Sequence, residues 1–156
     1  MIPIKKSLDE RRFNIEGLTL SAHQPEFLPW LGNISKASLG DVYFILDTVQ
    51  YVKEVFQNRN KIRIKSSKGW QWLVIPILGG KKKLLNWQEI KIDNSQPWKR
   101  KHLTAIKISY SKSPFFQEIY SEIESIYNNF KGDKLIDFIV EFIKYSHKKF
   151  GLNIPI

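Results

Sequence analysis

The chain has 156 residues, 42% of them hydrophobic and 13% aromatic, with a formal net charge of +10 and no cysteine. A length in this range suits one domain with a real core, and without cysteine there is no disulfide framework, thiol nucleophile or cysteine zinc site. The charge is uneven: from Lys53 to Lys112 stand 15 Lys and Arg against Glu54, Glu89 and Asp93, so a positive face is expected, one that attracts phosphates and other anions or is merely solvated.

Residues 1–17 read as a polar arm and 18–156 as a single α/β domain. The arm is charged at Lys5, Lys6, Asp9, Glu10, Arg11 and Arg12, where a signal peptide needs an apolar core, and no apolar run approaches the roughly 18 residues of a membrane span. A cytoplasmic protein without a membrane span is the expectation. "LTLSA" (18–22) predicts a short strand with Leu18 and Leu20 on one side, and the proline-rich "HQPEFLPW" breaks it. After Pro29, Trp30, Leu31, Ile34 and Leu39 have helical spacing up to Gly40. "DVYFILD" (41–47) is a continuous apolar run that predicts a strand buried on both faces, as in parallel sheets. Together these make a Rossmann-like βαβ start.

"NKIRIKSSKGWQWLVIPIL" predicts a β-hairpin insertion that turns at Ser66-Ser67-Lys68-Gly69. "GGKKKLLN" reads as a loop and "WQEIKID" (87–93) as a further strand. Amphipathic helices close the chain. The first runs from Trp98 to Tyr110 after Pro97, with Leu103, Ile106 and Tyr110 inward. A second is capped by Ser113, with Pro114 at its first position, and buries Phe115, Phe116, Ile119, Ile123, Ile126 and Tyr127. The last is capped by Asp133, buries Leu135, Ile136, Ile139, Phe142, Ile143 and Phe150, and ends at Gly151.

Ligands of open α/β sheets bind beyond the carboxyl ends of the strands, which gives His23, Gln24, Asp47 and Gln50 first claim to a role. His23 can act as general acid or base or hold a phosphate, Gln24 can bond an amide or hydroxyl, and Asp47 can orient His23 or accept from an amine. The plainer alternative is that His23 and Asp47 cap a turn and a loop. Pro25 and Pro29 restrict φ and bias the preceding residues toward extended backbone, so they stiffen the turn that carries these groups. Trp30 either walls the crevice or packs. In "QNRNK", Arg59 offers a planar fork for phosphate or carboxylate and its amide neighbours can bond sugar hydroxyls; a polar turn is the alternative. "GGKKK" lacks phosphate-loop spacing. With only His23, His102 and His147, and no H-E-x-x-H, a metal site is not expected.

The ordered elements "HQPEFLPWLG", "DVYFILDTVQY", "FQNRNKI", "WLVIPI", Trp98 with His102, and Tyr110 followed by "SPFF" resemble the WbqC-like protein family across roughly residues 20–120. That resemblance implies a role in surface polysaccharide or O-antigen (lipopolysaccharide) biosynthesis: transfer of an amino acid such as glycine, or another acyl group, to an amino sugar. It carries over His23 and Asp47 as catalytic candidates. As substrate-binding candidates it carries over Gln24, Trp30, Gln50, Gln57, Asn58, Arg59, Asn60, Trp98 and His102. The expected partners are a nucleotide-linked or lipid-linked amino sugar and an activated acyl or aminoacyl donor, with aminoacyl-tRNA among the options; no cofactor is assigned. Family members usually run on beyond the "FGLNIPI" region, which leaves open that the C-terminal part usual in the family is missing.

Three other readings stay open. The basic middle segment is interleaved with Tyr51, Phe56, Trp70, Trp72 and Trp87, as in a nucleic-acid-binding module, although strand alternation turns about half of such rings inward. The first half also resembles, more distantly, nucleotidyltransferase-type Rossmann folds, but the turn holds one histidine where those use a pair. A non-catalytic subunit is the third reading.

Overall fold

The computed structural model describes residues 17–52, 55–79 and 85–156. Most of the predicted polar arm and most of the "GGKKK" loop lie outside the described residues. The first unit is β1 (Leu20–His23), α1 (Leu31–Ser38) and β2 (Val42–Ile45), with β1 and β2 parallel and His23 level with Ile45. The helix begins once Pro29 has passed and stops at Leu39. Gly40 then lies so close to β1 that a Cβ there would sit 2.9 Å from the Ser21 Cβ, so the return to the sheet needs glycine.

Two burial expectations fail in this unit. Of the predicted helical stripe only Ile34 is buried; Trp30, Leu31 and Leu39 are exposed, because an eight-residue helix rests on the sheet through the narrow stripe Asn33, Ile34 and Ala37. In β2 the expected two-sided burial is also absent. Tyr43 is fully buried while Phe44 is 49% exposed, the alternation of a two-stranded sheet covered on one face only.

The hairpin forms as predicted from β3 (Arg59–Arg63) and β4 (Trp70–Val74), antiparallel, with Lys61 opposite Trp72 and Arg63 opposite Trp70. Gly69 closes the turn at φ +71°, a left-handed conformation that suits glycine, and donates to the Ser66 carbonyl at 2.9 Å. Ile62 and Leu73 face the core.

"WQEIKID" does not form the expected strand. Trp87–Glu89 is a 3-10 turn closed by a bond from the Asn86 N–H to the Glu89 carboxylate at 3.0 Å, and only isolated bridges follow, Lys91 to Lys134 and Ile92 to Ile77. A strand would put residues 87 and 89 on one face; the turn lets Trp87 bury completely while Glu89 stays in water.

The helices are α2 (Trp98–Tyr110), α3 (Phe116–Asn129) and α4 (Leu135–Lys149). Helix α3 starts later than its predicted Ser113 cap: Ser113 and Pro114 form a separate turn in which the Ser113 carbonyl accepts from Phe116 N–H at 3.1 Å, which leaves Phe115 73% exposed. Asp133 does not cap α4 either. Its carboxylate pairs with Lys91 Nζ at 2.7 Å, and Lys134 occupies the cap position. Phe150 is exposed rather than inward, and α4 instead buries Phe138 and His147. Leu135, Phe138, Ile139, Phe142 and Ile143 of α4 are the centre of the core. Among the described residues no helix is long and apolar enough to cross a membrane.

Candidate functional site

The turn after β1 is anchored by one side chain. Phe27 is completely buried and its ring lies 5.6 Å from Phe142, 6.2 Å from Phe138 and 5.9 Å from His102. Burying Phe27 while Pro29 redirects the chain forces Leu28 to φ +52°, a left-handed conformation that disfavours a leucine by about 1 kcal/mol or more.

The amide cluster at 57–60 holds that strained turn in place. Asn60 Nδ2 donates to the carbonyls of Phe27 at 3.0 Å and Leu28 at 2.7 Å. Gln57 Nε2 donates to Gln24 Oε1 at 2.7 Å, and Gln57 Oε1 accepts from Val52 N–H at 2.7 Å. Asn58 Nδ2 donates to the Ile75 carbonyl at 2.9 Å. Gln57 and Asn58 are buried. These amides therefore bond protein groups, which joins the proline turn to the hairpin.

His23 sits at the carboxyl end of β1. Its Nδ1 lies 2.8 Å from the Gln24 carbonyl oxygen and 3.3 Å from Asn33 Nδ2. A carbonyl only accepts, so the shorter contact places a proton on Nδ1, and in the neutral ring the lone pair is then on Nε2. Among the described residues nothing hydrogen-bonds Nε2.

Beneath it lies a buried network that the sequence reading missed. Asn33 Nδ2 donates to Glu26 Oε2 at 2.9 Å, and Asn33 Oδ1 accepts from Tyr43 O–H at 2.7 Å. All three residues are buried. Burial, moderated by the Asn33 bond, pushes the Tyr43 hydroxyl up to about 12. The available signal was an acid inside the otherwise apolar "PEFLPW" and an amide on the helix face between Leu31 and Ile34.

Asp47 lies just past the end of β2, where the Leu46 N–H bonds the His23 carbonyl at 2.9 Å; one Asp47 oxygen accepts from Gln88 Nε2 at 3.2 Å. Gln50 is exposed and bridges to Asn86. The Trp30 indole folds over Gly32, where any side chain would collide with the ring, and stays 63% exposed. Arg59 places its guanidinium 4.3 Å from the Trp72 ring centre.

Trp98 and His102 lie in the core under the turn. His102 Nε2 donates to the Val74 carbonyl at 3.0 Å, so its Nδ1 accepts the Tyr127 hydroxyl at 2.9 Å. Burial lowers its pKa from 6.5 to about 4, the carbonyl bond opposing. It is a neutral pillar at pH 7. Elsewhere, between the hairpin and α2, a cleft of about 620 Å³ is lined by Lys65, Gln71, Arg100, Lys101 and Thr104 and contains none of the residues at the turn. No group of His, Asp and Glu suited to a metal ion occurs among the described residues.

The chain is 33% identical over 104 residues to a protein of Mycobacterium tuberculosis, "Uncharacterized protein Rv1507c"; the match covers 67% of this chain and 44% of that protein, so it spans less than half of the relative's length. No solved structure matches. The model of the WbqC-like protein family matches residues 24–156, from the bracing Gln24 through the last helix, and the chain belongs to that family.

Proposed function

We propose that the site at the carboxyl ends of β1 and β2 transfers an aminoacyl group such as glycyl, or another acyl group, to the amine of a nucleotide-linked or lipid-linked amino sugar used in surface polysaccharide synthesis. The observation that carries this reading is the 2.8 Å contact of His23 Nδ1 with the Gln24 carbonyl, which in the neutral ring puts the lone pair on an Nε2 that nothing among the described residues bonds, at a sheet end where α/β folds bind ligands. The sugar nitrogen attacks the acyl carbon, a C–N bond forms, and the proton of that nitrogen passes to Nε2. The bond from the acyl carbon to its carrier then breaks, and the carrier leaves with the proton returned by the imidazolium. Asp47, with one oxygen on Gln88, has the other, unbonded among the described residues, to accept from an N–H of the attacking amine. Arg59 holds phosphate, Trp30 and Gln50 flank the sugar, and Gln24, Gln57, Asn58, Asn60, Trp98 and His102 keep the turn in place. The compartment in this reading is the cytoplasm, where nucleotide-linked sugars are made.

The test is mass spectrometry of nucleotide-linked amino sugars incubated with the full chain and a set of acyl thioester and aminoacyl donors. An N-acylated sugar is expected, with the rate lowered about 10²–10⁴-fold in His23→Gln, the usual contribution of a general base. A product that forms equally well with His23→Gln contradicts the assignment.

A further inference from the structure

The outer face of the hairpin is built in rows. Antiparallel register and alternation put Arg59, Lys61 and Arg63 of β3 on the same face as Trp72 and Trp70 of β4, opposite the buried Ile62 and Leu73. The rings are half-buried, 5.7 Å apart and edge-to-face, and Phe56 packs on Trp72 at 5.6 Å. Each ring is covered by cations from its own hairpin: Lys61 lies 4.1 Å from the Trp70 centre and 5.0 Å from that of Trp72, Lys68 in the turn lies 4.2 Å from Trp70, and Arg59 lies 4.3 Å from Trp72.

From Arg59 to Gly69 the chain has five cations and no carboxylate. Among the described residues no acid pairs with Lys61, Arg63 or Lys68. A face that is only meant to be solvated usually mixes both signs of charge and keeps tryptophan off the surface. Here the excess is of one sign, and the apolar groups between Lys61, Arg63 and Lys68 are flat rings, with Val74 at the Arg59 end.

From this face we infer a binding site for single-stranded nucleic acid, its phosphates on Lys61, Arg63 and Lys68 and its bases stacked on Trp70 and Trp72. Residues i and i+2 of a strand stand roughly 6.6 Å apart, a repeat that a flexible single-stranded backbone can follow. A phosphate that draws Lys61 away from the rings exposes two π faces at once, and stacking is tolerant of sequence because every base has such a face. Membrane binding fits less well, because the rings are half-buried and held flat under ammonium groups rather than projecting beyond them. The face extends from the Arg59 end, which Gln57 ties to Gln24 beside His23. A bound strand would thus end near His23. Its use as the carrier of an aminoacyl donor rests on the transfer reading, whereas the binding itself does not.

The experiment is fluorescence anisotropy of the full chain with a labelled mixed-sequence RNA of about 12 nucleotides, over a range of salt, with heparin as a polyanion that lacks bases. Binding is expected with a log–log salt slope of about −2 for three phosphates. Lys61→Gln with Arg63→Gln, both exposed, should flatten the slope by about 1.4 with circular dichroism unchanged. Trp70→Ala, with its circular dichroism unchanged, should weaken RNA on the order of tenfold and leave heparin unaffected. No RNA binding at low salt overturns the inference, as does a response to Trp70→Ala that is the same for heparin as for RNA. His23→Ala should bind RNA as the wild type does, so a failed transfer assay and a failed binding assay remain separate results.

Discussion

The Gln24 carbonyl 2.8 Å from His23 Nδ1 gives an ordinary histidine a preferred proton position, and the residues below it keep that position still. Asn33 is the hinge of this support, since its amide donates to Glu26 and accepts from Tyr43 in a buried site. Asn33→Leu leaves a buried carboxylate and a buried hydroxyl without their partner. Urea denaturation should show a loss of about 2–3 kcal/mol, against about 1 kcal/mol for Tyr43→Phe, which removes one bond and leaves no buried group as polar as a carboxylate without its partner. Equal losses in the two variants would mean that the Glu26 carboxylate has another way to be satisfied. Neither Glu26 nor Asn33 stood out in the sequence, because an acid in a turn and an amide on a short helix are ordinary until their burial is known.

At the scale of elements, the proline turn is held by Phe27 from below and by the 57–60 amides from the side. Phe27→Ala removes a completely buried ring and should destabilise by about 3–5 kcal/mol. Asn60→Ala removes the donor to two carbonyls of a strained turn. It should cost about 1–2 kcal/mol and speed amide hydrogen exchange in residues 24–30, with α4 unchanged; slowed or uniform exchange would contradict the bracing role. Periodicity was enough to read the βαβ start, the hairpin and three helices, since each leaves its own spacing of apolar residues. The roles of "QNRN" were not legible in the same way. Whether an amide faces a ligand or a backbone carbonyl depends on a contact such as Gln57 to Gln24, 33 residues apart, and nothing local to either residue encodes it. "WQEIKID" misled for a related reason: its alternation fits a strand, but the depth available to Trp87 favours a turn.

For the whole molecule, His102 links the turn, β4 and α3 through Phe27, the Val74 carbonyl and the Tyr127 hydroxyl. Its pKa falls from 6.5 to about 4 on folding, so below pH 6.5 the unfolded chain takes up a proton that the folded chain refuses. The stability due to neutral His102 is complete above about pH 6.5 and is lost as pH falls toward 4, on the order of 3 kcal/mol over that window. His147, lowered by burial as well, acts in the same direction. Urea midpoints at pH 7 and 4.5 should therefore fall further for the wild type than for His102→Gln, and equal falls would remove His102 from the account of acid sensitivity. The proposed transfer rests on a different histidine, and the measurement that reaches it without knowing any substrate is a long-range ¹⁵N–¹H correlation of the His23 ring near pH 7.5. A proton on Nδ1 with an unprotonated Nε2 is the predicted result; a proton resident on Nε2 would leave that nitrogen no lone pair to take a proton and would contradict His23 as the base.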